Sequence, residues 1–146
     1  MKENIEFRSL CPVATSLDII GDKWTLLILR DMIWGHKTMF HEFKESPEKV
    51  PSKMLSNRLK KLESIGFISK QKGTVNKKSI YYLLEKRGFD TFPIMIEMAI
   101  FTTKHFFDHL GTTYTGDVKK RMLKDKLDYT KELISNYKQF VRLQTF

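Results

Sequence analysis

Residues 51–84 read PSKMLSNRLKKLESIGFISKQKGTVNKKSIYYLL, and the hydrophobic period changes partway along. Leu55, Leu59 and Leu62 step by four and three, the spacing of one helix face. Pro51-Ser52 opens that helix with Ser52 as N-cap, and Gly66 ends it. From Phe67 to about Lys72 the pattern is that of a strand. GTVNKK (73–78) is a polar turn, and SIYYLL (79–84), rich in β-formers, pairs back as a second strand.

The segments before this stretch read as three helices. Cys11-Pro12 opens the first, with Val13, Leu17 and Ile20 at helical spacing and Gly21 at its end. Asp22 is the expected N-cap of a second, Trp24 to about Ile33, apolar on most sides and so buried; Gly35 stops it. Thr38 is the expected cap of a short helix over about Met39 to Lys44, and Ser46-Pro47 breaks it. After the hairpin, a long amphipathic helix is expected from about Phe89 to Leu110, with Phe92, Ile96, Ile100 and Phe107 apolar and Pro93 in its first turn or at its start. Gly111 to Gly116 is a break. Asp117 can cap a last helix, about Val118 to Leu143, carrying Met122, Tyr129, Leu133, Tyr137 and Val141.

This order contains the tri-helical core and two-stranded hairpin of a winged helix-turn-helix, in which the third helix enters the major groove. The expected fold is mainly α with a small β-hairpin wing and long C-terminal dimerisation helices. Residues 1–110 are expected to form the DNA-binding domain with its dimerisation helices, and 111–146 a C-terminal helical extension whose apolar stripe argues that it packs on something.

The charge supports that reading. The chain of 146 residues carries a net charge of +9, and a basic balance suits a polyanion. Between Ser52 and Lys78 there are eight basic residues (Lys53, Arg58, Lys60, Lys61, Lys70, Lys72, Lys77, Lys78) against Glu63 alone, an excess of +7. With the leucines facing the core, Ser56, Asn57 and Lys60 lie opposite, and Ser52 and Lys53 sit near the helix start. These residues, with Arg58, are the candidate major-groove set; Asn suits adenine and Ser several bases. Lys77 and Lys78 at the hairpin tip are candidate phosphate or minor-groove contacts. A solvated helix face beside a lysine-rich turn would look similar in any one of these features, but three of them converge here.

Other functions find less support. No Ser-His-Asp set, Gly-rich phosphate loop or metal cluster is present, so neither an enzyme nor a cofactor is expected. His36, His41, His105 and His109 are scattered, although His105 and His109 are four apart. No apolar run approaches a membrane span. The N-terminus, MKENIEFRSL, lacks the apolar region of a secretory signal, so a cytoplasmic location is expected. A winged-helix module that binds protein rather than DNA remains as an alternative. RNA binding lacks the exposed aromatic pairs that stack on single strands.

Three stretches resemble the HxlR-type transcription regulators, a MarR-like family. They are Cys11-Pro12-Val13 with Leu17-Asp18-Ile19-Ile20-Gly21-Asp22-Lys23-Trp24-Thr25-Leu26-Leu27-Ile28-Leu29-Arg30; Pro51 through Glu63; and Gly66-Phe67-Ile68 with Tyr81-Tyr82-Leu83-Leu84 and Gly88. The resemblance covers about Cys11 to Phe107. It implies a bacterial homodimer that binds a pseudo-palindromic duplex operator and represses or activates transcription, with its interface formed by the N-terminal helix and the long C-terminal helix. Several members sense electrophiles or oxidants through a cysteine at the start of the first helix, the position of Cys11. The wing tip, Thr74 to Lys78, departs from the Pro- and Arg-containing tip of many members.

Two features admit more than one reading. Cys11, the single cysteine, is either a thiol activated by the helix dipole, with Arg8 and Lys23 as possible added charge, or an inert core residue. The apolar surplus of Phe101, Phe106 and Phe107 is either a dimer face or, with Met95 and Met98, the lining of a pocket for an apolar effector.

Overall fold

The computed structural model describes residues 5–106, 117–144 and 146. Its elements are α1 (Pro12–Ile20), α2 (Thr25–Ile33), α3 (Phe40–Lys44), α4 (Ser52–Ser64), β1 (Ile68–Lys72), β2 (Ile80–Leu84), α5 (Lys86–Phe89), α6 (Phe92–His105), α7 (Asp117–Lys124) and α8 (Lys126–Leu143). A mostly helical chain with one hairpin is the expected class. The expected positions of Phe107, His109 and Leu110, and the break at 111–116, lie outside the described residues.

Local chemistry explains the boundaries. Trp24, not the expected Asp22, takes the N-cap of α2; Asp22 lies two residues earlier, its Oδ1 accepting from the N–H groups of Trp24 at 3.0 Å and Thr25 at 3.1 Å. Two further expected caps are corrected. Pro51 takes the N-cap of α4, and Ser52 is its first helical residue, with no side-chain cap bond. At α3 the capping group is Glu42, not Thr38. The Glu42 carboxylate reaches back to the N–H groups of Thr38 (2.7 Å) and Met39 (2.8 Å).

At the other end of α4, Gly66 adopts φ +75°. The Phe67 N–H bonds Leu62 O at 2.9 Å and the Gly66 N–H bonds Glu63 O at 3.1 Å. This Schellman closure needs a left-handed residue, which glycine supplies without steric cost.

Two long helices expected downstream are each divided. Phe89 belongs to the short α5, and α6 starts at Phe92 with Pro93 in its first turn. Asp125 leaves helical geometry (φ −145°, ψ 83°), and its side chain accepts from Asp128 N–H at 3.0 Å. It therefore ends α7 and caps α8.

The core sits between α2, α4, the wing, α6 and α8. Leu55, Leu59 and Leu62 of α4 are buried against Leu29 and Met32 of α2, with Phe92 and Tyr137 completing the cluster. Each fully buried side chain of this size stabilises the fold by roughly 1.5–3 kcal/mol. β1 and β2 are antiparallel, in a register that pairs Ile68 with Leu84 and Lys72 with Ile80. Tyr137 brings α8 into the same core as the helix-turn-helix. In α1 only Ile20 is buried, while Val13 and Leu17 are exposed. Among the described residues no helix is long and apolar enough to cross a membrane. No group of three or more His, Cys, Asp or Glu residues among them could hold a metal ion.

Candidate nucleic-acid interface

The interface begins with the turn that joins α3 to α4. Arg30 of α2 donates two parallel bonds to Glu48, Nη1 to Oε1 at 2.6 Å and Nη2 to Oε2 at 2.9 Å. The same guanidinium holds Asp31, and Lys37 Nζ reaches both Asp31 Oδ2 (3.0 Å) and Ser46 Oγ (2.8 Å). Asp31 is buried and also accepts from Ser46. Lys44 Nζ donates to Val50 O at 2.6 Å. The Arg30 and Asp31 bonds tie the turn to α2, the Lys44 bond ties it to α3, and Lys49 completes it with a left-handed φ of 52°. A site is precise only when its support is rigid, and this network fixes where α4 leaves the turn. The paired guanidinium pulls the Glu48 carboxyl down to about 2.

On α4 the buried leucines turn Ser52, Lys53, Asn57 and Lys60 outward, all exposed, while Ser56 is half-buried beside them. Arg58 differs. Its Nε donates to Asp22 Oδ1 at 2.8 Å, across 36 residues of sequence. Through this bond its guanidinium joins α4 to the start of α2, and the side chain is only partly exposed. Lys61 Nζ donates to the carbonyls of Asp18 (3.2 Å) and Ile19 (3.0 Å), placing a cation at the negative end of α1. Two of the eight basic residues thus brace the helices. Lys53, Lys60, Lys70, Lys72, Lys77 and Lys78 are exposed.

The wing is basic as well, with Lys70, Lys72, Lys77 and Lys78 exposed. Its tip is shaped by Asn76, whose carbonyl accepts from Ser79 N–H at 2.9 Å and whose side chain accepts from Lys78 N–H at 3.0 Å. Lys77 and Lys78 project from this turn. The candidate set drawn from the sequence omits Lys70 and Lys72 of β1, although their spacing of two, on one strand face, is the signal that could have found them.

Cys11 is exposed at the N-cap of α1. The backbone N–H groups of Ala14 and Val13 hold its thiol below the ordinary range. Arg8 is engaged with Asp18, and Lys23 Nζ lies 4.8 Å over the Trp24 ring, so helix amides rather than those side chains lower it.

Elsewhere, Leu10, Val13 and Leu17 around α1 and Met98, Phe101 and Phe106 along α6 expose large apolar side chains. A pocket of about 130 Å³ lies between α2 and α6, lined by Leu26, Leu27, Trp34, Met95, Met98 and Ala99 together with Arg30.

The sequence model of the HxlR-like helix-turn-helix family matches residues 19–110. YdeP of Bacillus subtilis (strain 168), described as an uncharacterized HTH-type transcriptional regulator, is 34% identical over 95 residues, covering 65% of this chain and 73% of its own. YybR of the same strain, described in the same words, is 32% identical over 88 residues, covering 60% and 70%. Among solved structures, the transcription-factor candidate PA1607 superposes with a TM-score of 0.61 at 28% identity, over 75% of this chain and 73% of that one. The redox regulator HypR in its oxidized form gives 0.57 at 27%, over 65% and 97%.

Proposed function

This chain belongs to the HxlR-like helix-turn-helix family of transcriptional regulators, not enzymes, and from that premise we propose that it acts in the cytoplasm as a homodimer on a pseudo-palindromic duplex operator. The observation that carries this reading is the joint exposure of Ser52, Lys53, Asn57 and Lys60 on α4 and of Lys77 and Lys78 on the wing. Asn57 and Ser56 read base edges, Ser52, Lys53 and Lys60 hold the groove walls, and the wing lysines take flanking phosphates. Arg58 serves chiefly as the strut to Asp22 that keeps α4 in place. The exposed apolar faces of α1 and α6 form the two-fold interface, which spaces two copies of α4 by about one turn of DNA, ~34 Å.

Cys11 makes this regulator oxidant-responsive. Its lowered pKa, its exposure and the likeness to HypR support that reading. A hydroperoxide transfers one oxygen to the thiolate as its O–O bond breaks, leaving a sulfenic acid and releasing the alcohol. A second thiol, from Cys11 of the partner subunit or a small thiol, then displaces water to form a disulfide.

A second reading, an apolar effector seated between α2 and α6, rests on the pocket lined by Leu26, Trp34 and Met95. Fluorescence-anisotropy titration of duplex DNA at several salt concentrations, with the protein reduced and then peroxide-treated, tests the first reading. Salt-steep duplex binding that changes on oxidation is expected. Duplex binding indifferent to oxidation removes Cys11 from the switch, and no duplex binding favours a protein partner.

A further inference from the structure

β2 is an edge strand, and its outward-facing amides need partners. Two have them. The Tyr82 N–H bonds Thr38 O at 2.7 Å, within the helix-turn-helix core. The Leu84 N–H bonds the Tyr137 hydroxyl at 3.0 Å, a contact spanning 53 residues. Tyr137 belongs to α8 and is fully buried. Its ring packs edge-on against Phe89 (centroids 5.7 Å apart) and His36 (6.2 Å), and His36 is itself stacked on Phe140 at 4.6 Å. Packing of the ring against Phe89 and His36 therefore holds the hydroxyl in place.

Phe146, beyond α8, reaches the far end of the same hairpin. The Phe146 ring lies 4.7 Å from that of Tyr81, on the strand face away from Phe43, which packs against Tyr82. The Thr74 hydroxyl, in the wing turn, donates to Phe146 O. One segment thus grips the wing at its base and near its tip. Tyr137 and Phe146 both lie beyond residues 19–110, the part matched to the family.

We propose that α8 and Phe146 form a brace that sets the position of the wing on DNA, with Tyr137 and Phe146 as positioning residues. The functional half of this rests on the DNA-binding reading above. A hairpin of two five-residue strands is only marginally stable without external support. Phosphate contacts from Lys77 and Lys78 gain most when the tip that carries them is already ordered. The brace touches no base and no phosphate; it acts through the lysines.

The test uses the full chain with Tyr137→Phe, which keeps the packed ring, and Phe146→Ala, which removes only a half-exposed ring. Hydrogen exchange reads the brace directly. Tyr137→Phe is expected to speed exchange of the Leu84 amide by about 2- to 10-fold, the equilibrium factor for one ordinary hydrogen bond. Phe146→Ala is expected to speed the amides of residues 73–79, and α4 amides should not change in either variant. Unchanged wing exchange in both variants overturns the brace.

Duplex binding then reads its consequence. Phe146→Ala should weaken binding in the parent yet have little effect once Lys77 and Lys78 are alanine, a coupling factor of about 2 or more. Equal losses in both backgrounds would place Phe146 outside wing positioning and overturn the functional half. A parent that binds no duplex overturns the DNA reading itself. The exchange results are independent of that outcome and still decide whether the brace exists.

Discussion

Arg30 on α2 and Glu48 in the turn before α4 form a two-pronged ion pair, with both bonds under 3 Å. It fixes the angle at which the candidate recognition helix leaves its turn. The carboxylate is about one-third exposed (37%), so the pair contributes no more than about 1 kcal/mol after solvent screening. Its geometric role exceeds its energetic one.

That pair has a definite pH signature. The Glu48 carboxyl falls from an ordinary 4.5 to about 2 in the folded protein. A depressed carboxylate contributes stability above its unfolded pKa and loses that contribution as pH falls through its folded pKa. Urea denaturation should find Glu48→Gln less stable than the parent at pH 7. The gap should narrow between pH 4.5 and about 2. A gap that stays constant over that window would mean the ion pair contributes nothing.

Gly66→Ala should destabilise the protein by about 1–2 kcal/mol, because the residue must hold a left-handed φ that costs an L side chain that much. Open space around the missing Cβ, whose nearest atom is Arg87 Cδ at 4.0 Å, leaves backbone strain as the cause. Thermal unfolding measures the loss. Duplex affinity well below the melting transition should not change.

Asn57→Ala should relax base preference at one position of each half-site by about 1–3 kcal/mol, with non-specific affinity little altered. Selection from a randomised duplex library reads this. If the preference profile is unchanged, Asn57 does not face a base.

The rate of Cys11 alkylation should rise with pH around a midpoint below that of an ordinary thiol, because helix amides favour the thiolate. An iodoacetamide rate profile checks it. A midpoint at the free-cysteine value would remove the helix-terminus effect.

The parts of the fold that the sequence made legible were those with a repeating pattern. Leu55, Leu59 and Leu62 mark α4 because their spacing belongs to a helix, and the alternation after Phe67 marks the wing. α5 was missed because four residues from Lys86 to Phe89 are too short to show a period. The break at Asp125 was missed because Met122 and Tyr129, seven apart, stay in phase across it. The same limit applies at the interface. Lys53 and Arg58 look equivalent as basic residues of one helix, and only the fold brings Asp22, 36 residues away, to one and not the other. The roles of Tyr137 and Phe146 depend wholly on contacts made across the chain, which no local pattern encodes.

Salt-dependent duplex binding, measured for the parent and for a Lys77→Ala/Lys78→Ala variant, is the most direct test of DNA recognition through α4 and the wing. The parent should bind duplex DNA with affinity that falls linearly in log–log form as salt rises. The variant should bind every sequence more weakly, with a slope shallower by about 1 for each lysine lost. A parent with no salt-dependent affinity for duplex DNA would contradict the assignment of this surface to nucleic acid.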